Sequence, residues 1–120
     1  MIYILQPFTY KNGIYNLIKY NLTNLSYSSI KRIFPFQLSN IKYSNNVYFI
    51  IHDTNYKIWD GFNIAKIIRQ KDYTANIILI TNDLDYQKYY RSHIRFLSII
   101  DISSKQIEND IQEILEYLIK

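Results

Sequence analysis

Two apolar runs dominate the pattern of the chain: Val47–Ile51 (VYFII) and Asn76–Thr81 (NIILIT). Both are short and rich in β-branched residues, the first also in aromatics, with no polar residue alternating through them. That is how strands buried on both faces of a parallel sheet read. Ile2–Leu5 (IYIL) reads as a first strand stopped by Gln6-Pro7, Tyr27–Phe34 as a second ended by Pro35, and Phe96–Ile100 as a last. Helical periods fall between them. Ile14, Leu17, Ile18, Leu22 and Leu25 predict a helix from about Tyr10 to Asn24, with Gly13 weakening its first turns. Phe36–Tyr43 reads as a short helix and Asn45-Asn46 as a turn. Gly61–Lys71 reads as an amphipathic helix capped by Asp60. Asp83–His93 reads as a helix whose face is mostly Tyr and polar. Ile107, Ile111, Ile114, Leu115 and Leu118 predict a C-terminal helix behind a Ser103–Gln106 capping box.

Five strands alternating with five helices predict one α/β domain over residues 1–120. Its sheet should be parallel and covered on both faces, with right-handed crossovers. At 120 residues the chain can bury a single core without staples. The absence of cysteine excludes disulfides, thiolate metal sites and a Cys nucleophile. No apolar run approaches the roughly 20 residues that span a bilayer. The start, MIYILQPF, lacks the basic residues of a signal peptide. A cytoplasmic protein without a membrane partner is the expectation. The net charge of +4 comes from scattered residues, which reads as a solvated surface rather than a nucleic-acid footprint. With only Gly13 and Gly61, there is no Gly-rich phosphate loop, which argues against a nucleotide or flavin enzyme.

The candidate chemistry lies where Val47–Ile51 gives way to His52, Asp53 and a loop carrying Asn55, Lys57 and Asp60. In open α/β sheets, ligands bind at the carboxyl ends of strands. Asp53 is therefore the leading candidate, with a loop-capping role as the alternative. His52 reads as a packed or hydrogen-bonded histidine, and Lys57 and Trp59 as exposed loop residues.

The order of elements, with the acidic Asp53–Gly61 loop, resembles the receiver domain of bacterial response regulators. DGFNIAKIIRQKD followed by NIILIT resembles the receivers attached to LytTR-type DNA-binding domains, as in quorum-sensing regulators. The resemblance spans the chain and is best from Val47 to Thr81. It implies a flavodoxin-like (βα)5 fold with strand order 2-1-3-4-5. It also implies phosphotransfer from a histidine kinase to an Asp, with Mg²⁺ as cofactor. Asp53, eight positions before Gly61, matches the phosphoacceptor. The spacing of nine found in the LytTR-linked subgroup puts His52 there instead. Thr81 matches the conserved Thr or Ser that ends the fourth strand.

The rest of the implied site is missing. Gln6 and Pro7 stand where the family has its Mg²⁺-binding acidic pair, and Asp101 and Ile102 where it has its Lys. Mg²⁺ is held by carboxylates and phosphate oxygens. Phosphoryl transfer needs cations on the equatorial oxygens. The expectation is thus a degenerate receiver, not an enzyme and without a cofactor, that works by phosphorylation-independent protein–protein interaction, either as a lone domain or as the N-terminal part of a transcription regulator. The alternatives are a functional receiver using Asp53, with Mg²⁺ and acidic groups supplied from elsewhere such as Asp101; a small flavodoxin-like enzyme; or a basic nucleic-acid module. Family members commonly pair through the face made by the fourth helix, fifth strand and fifth helix. Here that face concentrates Tyr86, Tyr89, Tyr90, Arg91, Arg95 and Phe96, which reads as a homodimer or partner surface, or as a cover for the sheet edge.

Overall fold

The computed structural model describes residues 1–10, 13–27, 29–41 and 45–119. Five parallel strands form one sheet: β1 Ile2–Leu5, β2 Ile30–Ile33, β3 Val47–His52, β4 Asn76–Thr81 and β5 Ser98–Asp101. Their order is β2-β1-β3-β4-β5. The crossovers are α1 Ile14–Asn24, a 3-10 helix Pro35–Asn40, α2 Gly61–Lys71 and α3 Tyr86–Arg91, and α4 Ile107–Ile119 follows β5. The second crossover is thus a 3-10 helix rather than an α-helix. Residues 42 and 43 of the expected Phe36–Tyr43 helix lie outside the described residues.

Alternation along β3 splits the core in two. Val47, Phe49 and Ile51 join Ile14, Ile18, Ile111 and Leu115 on the face covered by α1 and α4. Tyr48 and Ile50 join Ile64, Ile68, Tyr89 and Leu38 on the other face. β3 and β4 are buried along nearly their whole length because helices cover both their sides.

Several boundaries differ from the sequence pattern. α1 starts at Ile14, not near Tyr10, because Gly13 sits at its N-cap in the left-handed region (φ 75°). β2 holds only Ile30–Ile33, since it is an edge strand with Lys31 and Arg32 exposed. α3 is shorter than Asp83–His93: Asp85 caps it, and His93 and Arg95 take positive φ just beyond it. The Ser103–Gln106 box does not form. The Ser103 amide and hydroxyl both donate to Asp101 Oδ1, and the Ser104 hydroxyl accepts from Gln106 N. Asp60 caps α2 as expected, accepting from Asn63 N at 3.0 Å.

Gly61 fixes the path from β3 into α2. A Cβ there would stand 2.2 Å from Ile51 O and 2.9 Å from His52 Cβ. Only glycine lets the helix begin against the end of the strand.

Candidate functional site

The register of the sheet arranges the carboxyl end. His52 of β3 pairs with Thr81 of β4, and Thr81 with Asp101 of β5. Leu5 pairs with Ile50, so continuing that register brings Pro7 level with His52. Paired residues share a face. His52 and Thr81 therefore point toward the α2 side, with Ile50 and Leu79. Asp53 lies one residue on. Its carboxylate turns toward the β1–α1 loop and pairs with Asn82.

Asp53 is 8 % exposed and both its oxygens are engaged. Oδ1 accepts from Asn55 N at 3.0 Å and from Asn82 Nδ2 at 3.2 Å, and Oδ2 from the Tyr10 hydroxyl at 3.2 Å. The bond to Asn55 two residues ahead is an Asx turn, which aspartate side chains favour in loops. Asn82 extends the network: its Oδ1 accepts from Thr54 N and from the Thr54 hydroxyl. These bonds tie the loops after β1, β3 and β4 together.

Each turn has a local cause. Tyr10 N donates to Pro7 O, closing a turn that sends Phe8 outward and brings Tyr10 back to Asp53. Tyr56 N donates to Asp53 O and Trp59 N to Tyr56 O, giving two consecutive turns before α2. Trp59 corrects the sequence reading. It is half-buried, and its indole donates to Ile51 O at 2.8 Å. Lys57 is exposed as expected.

His52 Nδ1 accepts from Phe62 N at 3.3 Å and stands 3.7 Å from Asp60 Oδ1. An accepting Nδ1 requires the neutral ring. Burial lowers its pKa below the ordinary 6.5, partly opposed by Asp60. Thr81 is fully buried. Its hydroxyl accepts from Asp83 N at 2.9 Å and lies 3.5 Å from the Tyr89 hydroxyl, and it makes no hydrogen bond with Asp53. Lys88 forms an ion pair with Asp83. That pair lowers the Asp83 pKa and raises that of Lys88.

The residues do not fit a magnesium ion. Pro7 has no ligand atom, and Gln6 offers a neutral oxygen that is buried and accepts no hydrogen bond. No group of three His, Cys, Asp or Glu residues that could hold a metal occurs among the described residues. Asp101, at the end of β5, is held by the Ser103 amide and hydroxyl, which both donate to its Oδ1.

The Tyr86–Phe96 surface needs one correction. Tyr89 is 1 % exposed, its hydroxyl donating to Asp83 O at 2.6 Å, so it is a core residue. Tyr86, Tyr90, Arg91 and Arg95 are exposed and Phe96 is half-buried. Arg95 is bonded to Tyr73 O at 2.9 Å. A cleft of about 430 Å³ opens among Tyr86, Tyr90, Phe96 and Ile99. No sequence signal marks the roles of Tyr10 and Asn82, since each contributes through a loop contact distant along the chain.

This architecture is that of response regulator receiver domains. The beryllofluoride-activated DrrB receiver domain superposes with a TM-score of 0.69 at 12 % identity, over 98 % of this chain and 95 % of that one. TrrA from Thermotoga maritima, solved with Mg²⁺ and beryllofluoride, gives 0.66 at 19 % identity over 98 % and 96 %. A further response regulator from Thermotoga maritima gives 0.65 at 11 % identity over 98 % and 96 %. At these identities the likeness is one of fold. No family model matches the chain, and neither does any curated protein. No helix among the described residues is long and apolar enough to cross a membrane.

Proposed function

We propose that this domain is a degenerate receiver that acts in signal transduction by protein–protein interaction without being phosphorylated. It is not an enzyme and takes no cofactor. The observation that carries this reading is the neutral hydrogen-bonding of Asp53 by Tyr10, Asn55 and Asn82. Among the described residues no ion pair reaches this carboxylate, and Lys88 is committed to Asp83. The register adds support: the position facing Thr81 holds His52, whose Nδ1 is occupied by the α2 amide. Thr81 is likewise bound to the loop after β4. Its neighbours resemble a fixed conformation rather than a switch awaiting a phosphoryl group. The partner is another protein rather than a nucleic acid, and the Tyr90–Arg91 surface serves pairing of two copies or a partner. A transcription regulator's output domain is the natural companion of such a module.

The test is a titration with Mg²⁺ and beryllofluoride followed by amide NMR. The expected result is no saturable shift at Asp53, Thr81 or Asn82 at millimolar metal. Saturable shifts there would establish the functional receiver, with Asp53 as acceptor, instead.

A further inference from the structure

The turns that close the Asp53 network push Phe8 and Ile58 into solvent, and the 3-10 helix after β2 exposes Phe36. Phe8 is 76 % exposed, Phe36 79 %, and Ile58 fully. They are not scattered. The Phe8 ring stacks on Phe34 at 5.9 Å between centroids, and Phe34 stacks on Phe36 at 6.0 Å. Beside this ladder lies a cleft of about 400 Å³ whose walls include Pro7, Phe8, Phe34, Tyr56, Ile58 and Trp59. Clustered exposed aromatics of this kind mark interaction sites, whereas single exposed apolar residues do not.

The rim is basic. The Arg32 guanidinium lies 5.8 Å from the Phe34 ring centroid, and exposed Lys57 separates Tyr56 from Ile58. The Asp60 carboxylate caps α2 and keeps its charge, so Arg32 and Lys57 stand as two cations against one anion. Like charge on a chain of net charge +4 disfavours a second copy here and favours an acidic partner.

We propose that this cleft docks a short apolar segment, flanked by acidic residues, of a partner protein. The proposal rests on the reading of the domain as an interaction module and gives that module a surface. Phe8 and Ile58 would form its apolar floor, and Arg32 and Lys57 would receive the flanking carboxylates. The surface is distinct from Tyr90–Arg91, which lies by the opposite edge strand of the sheet.

Trp59, the single tryptophan, lines the cleft and reports on it directly. The probe is a synthetic peptide with a leucine and phenylalanine centre between aspartates, added to the intact protein without Mg²⁺ or phosphodonor. Expected is a saturable change in Trp59 fluorescence. A lysine-flanked peptide should bind about tenfold more weakly, equivalent to about 1.4 kcal/mol. A serine-centred peptide should give no saturable change. Phe8→Ser with Ile58→Ser should abolish binding while the urea midpoint stays unchanged, because both side chains are exposed. Arg32→Glu with Lys57→Glu should reverse the preference between aspartate and lysine flanks.

Absence of a saturable change, or equal binding of the three peptides, overturns the proposal. So does self-association of the wild type that the Phe8→Ser, Ile58→Ser variant dissolves, since the occupant would then be a second copy. Failure here combined with resistance to beryllofluoride removes this surface and leaves the degenerate-receiver reading intact. Peptide binding combined with beryllofluoride uptake does the reverse.

Discussion

His52 and Thr81 stand directly opposite each other at the ends of β3 and β4, on the same face of the sheet. Asp53, one residue further, turns the other way and closes three loops through neutral donors. A one-residue offset in a strand thus separates the Asp53 carboxylate from the Thr81 hydroxyl.

If Asp53 is a structural hub, its removal should be felt in stability. Asp53→Ala leaves the Asn55 amide, the Asn82 amide and the Tyr10 hydroxyl without their acceptor. The expected cost is about 2–3 kcal/mol. Asp53→Asn keeps an oxygen for the Asn55 amide and should cost about 1 kcal/mol or less. Urea unfolding of the two variants measures the difference, and equal midpoints for wild type and Asp53→Ala would remove the hub.

Gly61→Ala should be among the most damaging single changes. The new Cβ meets backbone, Ile51 O at 2.2 Å, so no side-chain rotation relieves it. Overpacking of this kind costs about 1–3 kcal/mol or more. Thermal unfolding of Gly61→Ala checks it, and a midpoint equal to wild type would show that the start of α2 can move away from β3.

The His52 ring sets a pH dependence. Burial holds its pKa in the folded protein below 6.5, while the unfolded chain takes up its proton near that value. Between the two values the unfolded state carries more protons. Stability must therefore fall as pH drops below 6.5, and level off once the folded-state value is passed. Protonation would also remove the acceptor for Phe62 N. Asp60, Asp83 and Asp53 favour the charged ring and Lys88 opposes it, but burial is the largest influence. Urea midpoints between pH 7 and 5 should decline for wild type and decline less for His52→Gln.

If two copies pair through the α3 region, the contact must draw on Tyr90 and Arg91, since Tyr89 is internal. Sedimentation of wild type against Tyr90→Ala with Arg91→Ala is the direct comparison. Association of wild type that the double variant loses is the expected outcome. A monomer at high micromolar concentration, or unchanged association of the variant, would place the contact elsewhere.

The sheet was legible from sequence because β1, β3 and β4 carry unbroken apolar runs between polar punctuation. The edges were not. β2 and β5 have one flank uncovered, so their patterns mix with the loops, and both proved shorter than Tyr27–Phe34 and Phe96–Ile100. Ser103 matched a capping box, yet Asp101 two residues earlier took its amide and hydroxyl. At the site, the residue types at Gln6, Pro7 and Asp101 were readable one by one, and the proposal of a degenerate site rests on them. The direction in which Asp53 points was not. It depends on the register of β3 against β4 and on Tyr10 and Asn82, which are distant along the chain.

The most direct measurement is intact-mass analysis after incubation with acetyl phosphate and Mg²⁺, on wild type and on Asp53→Asn. The account predicts no phosphorylated species in either protein. A phosphorylated wild type that Asp53→Asn fails to produce would contradict it.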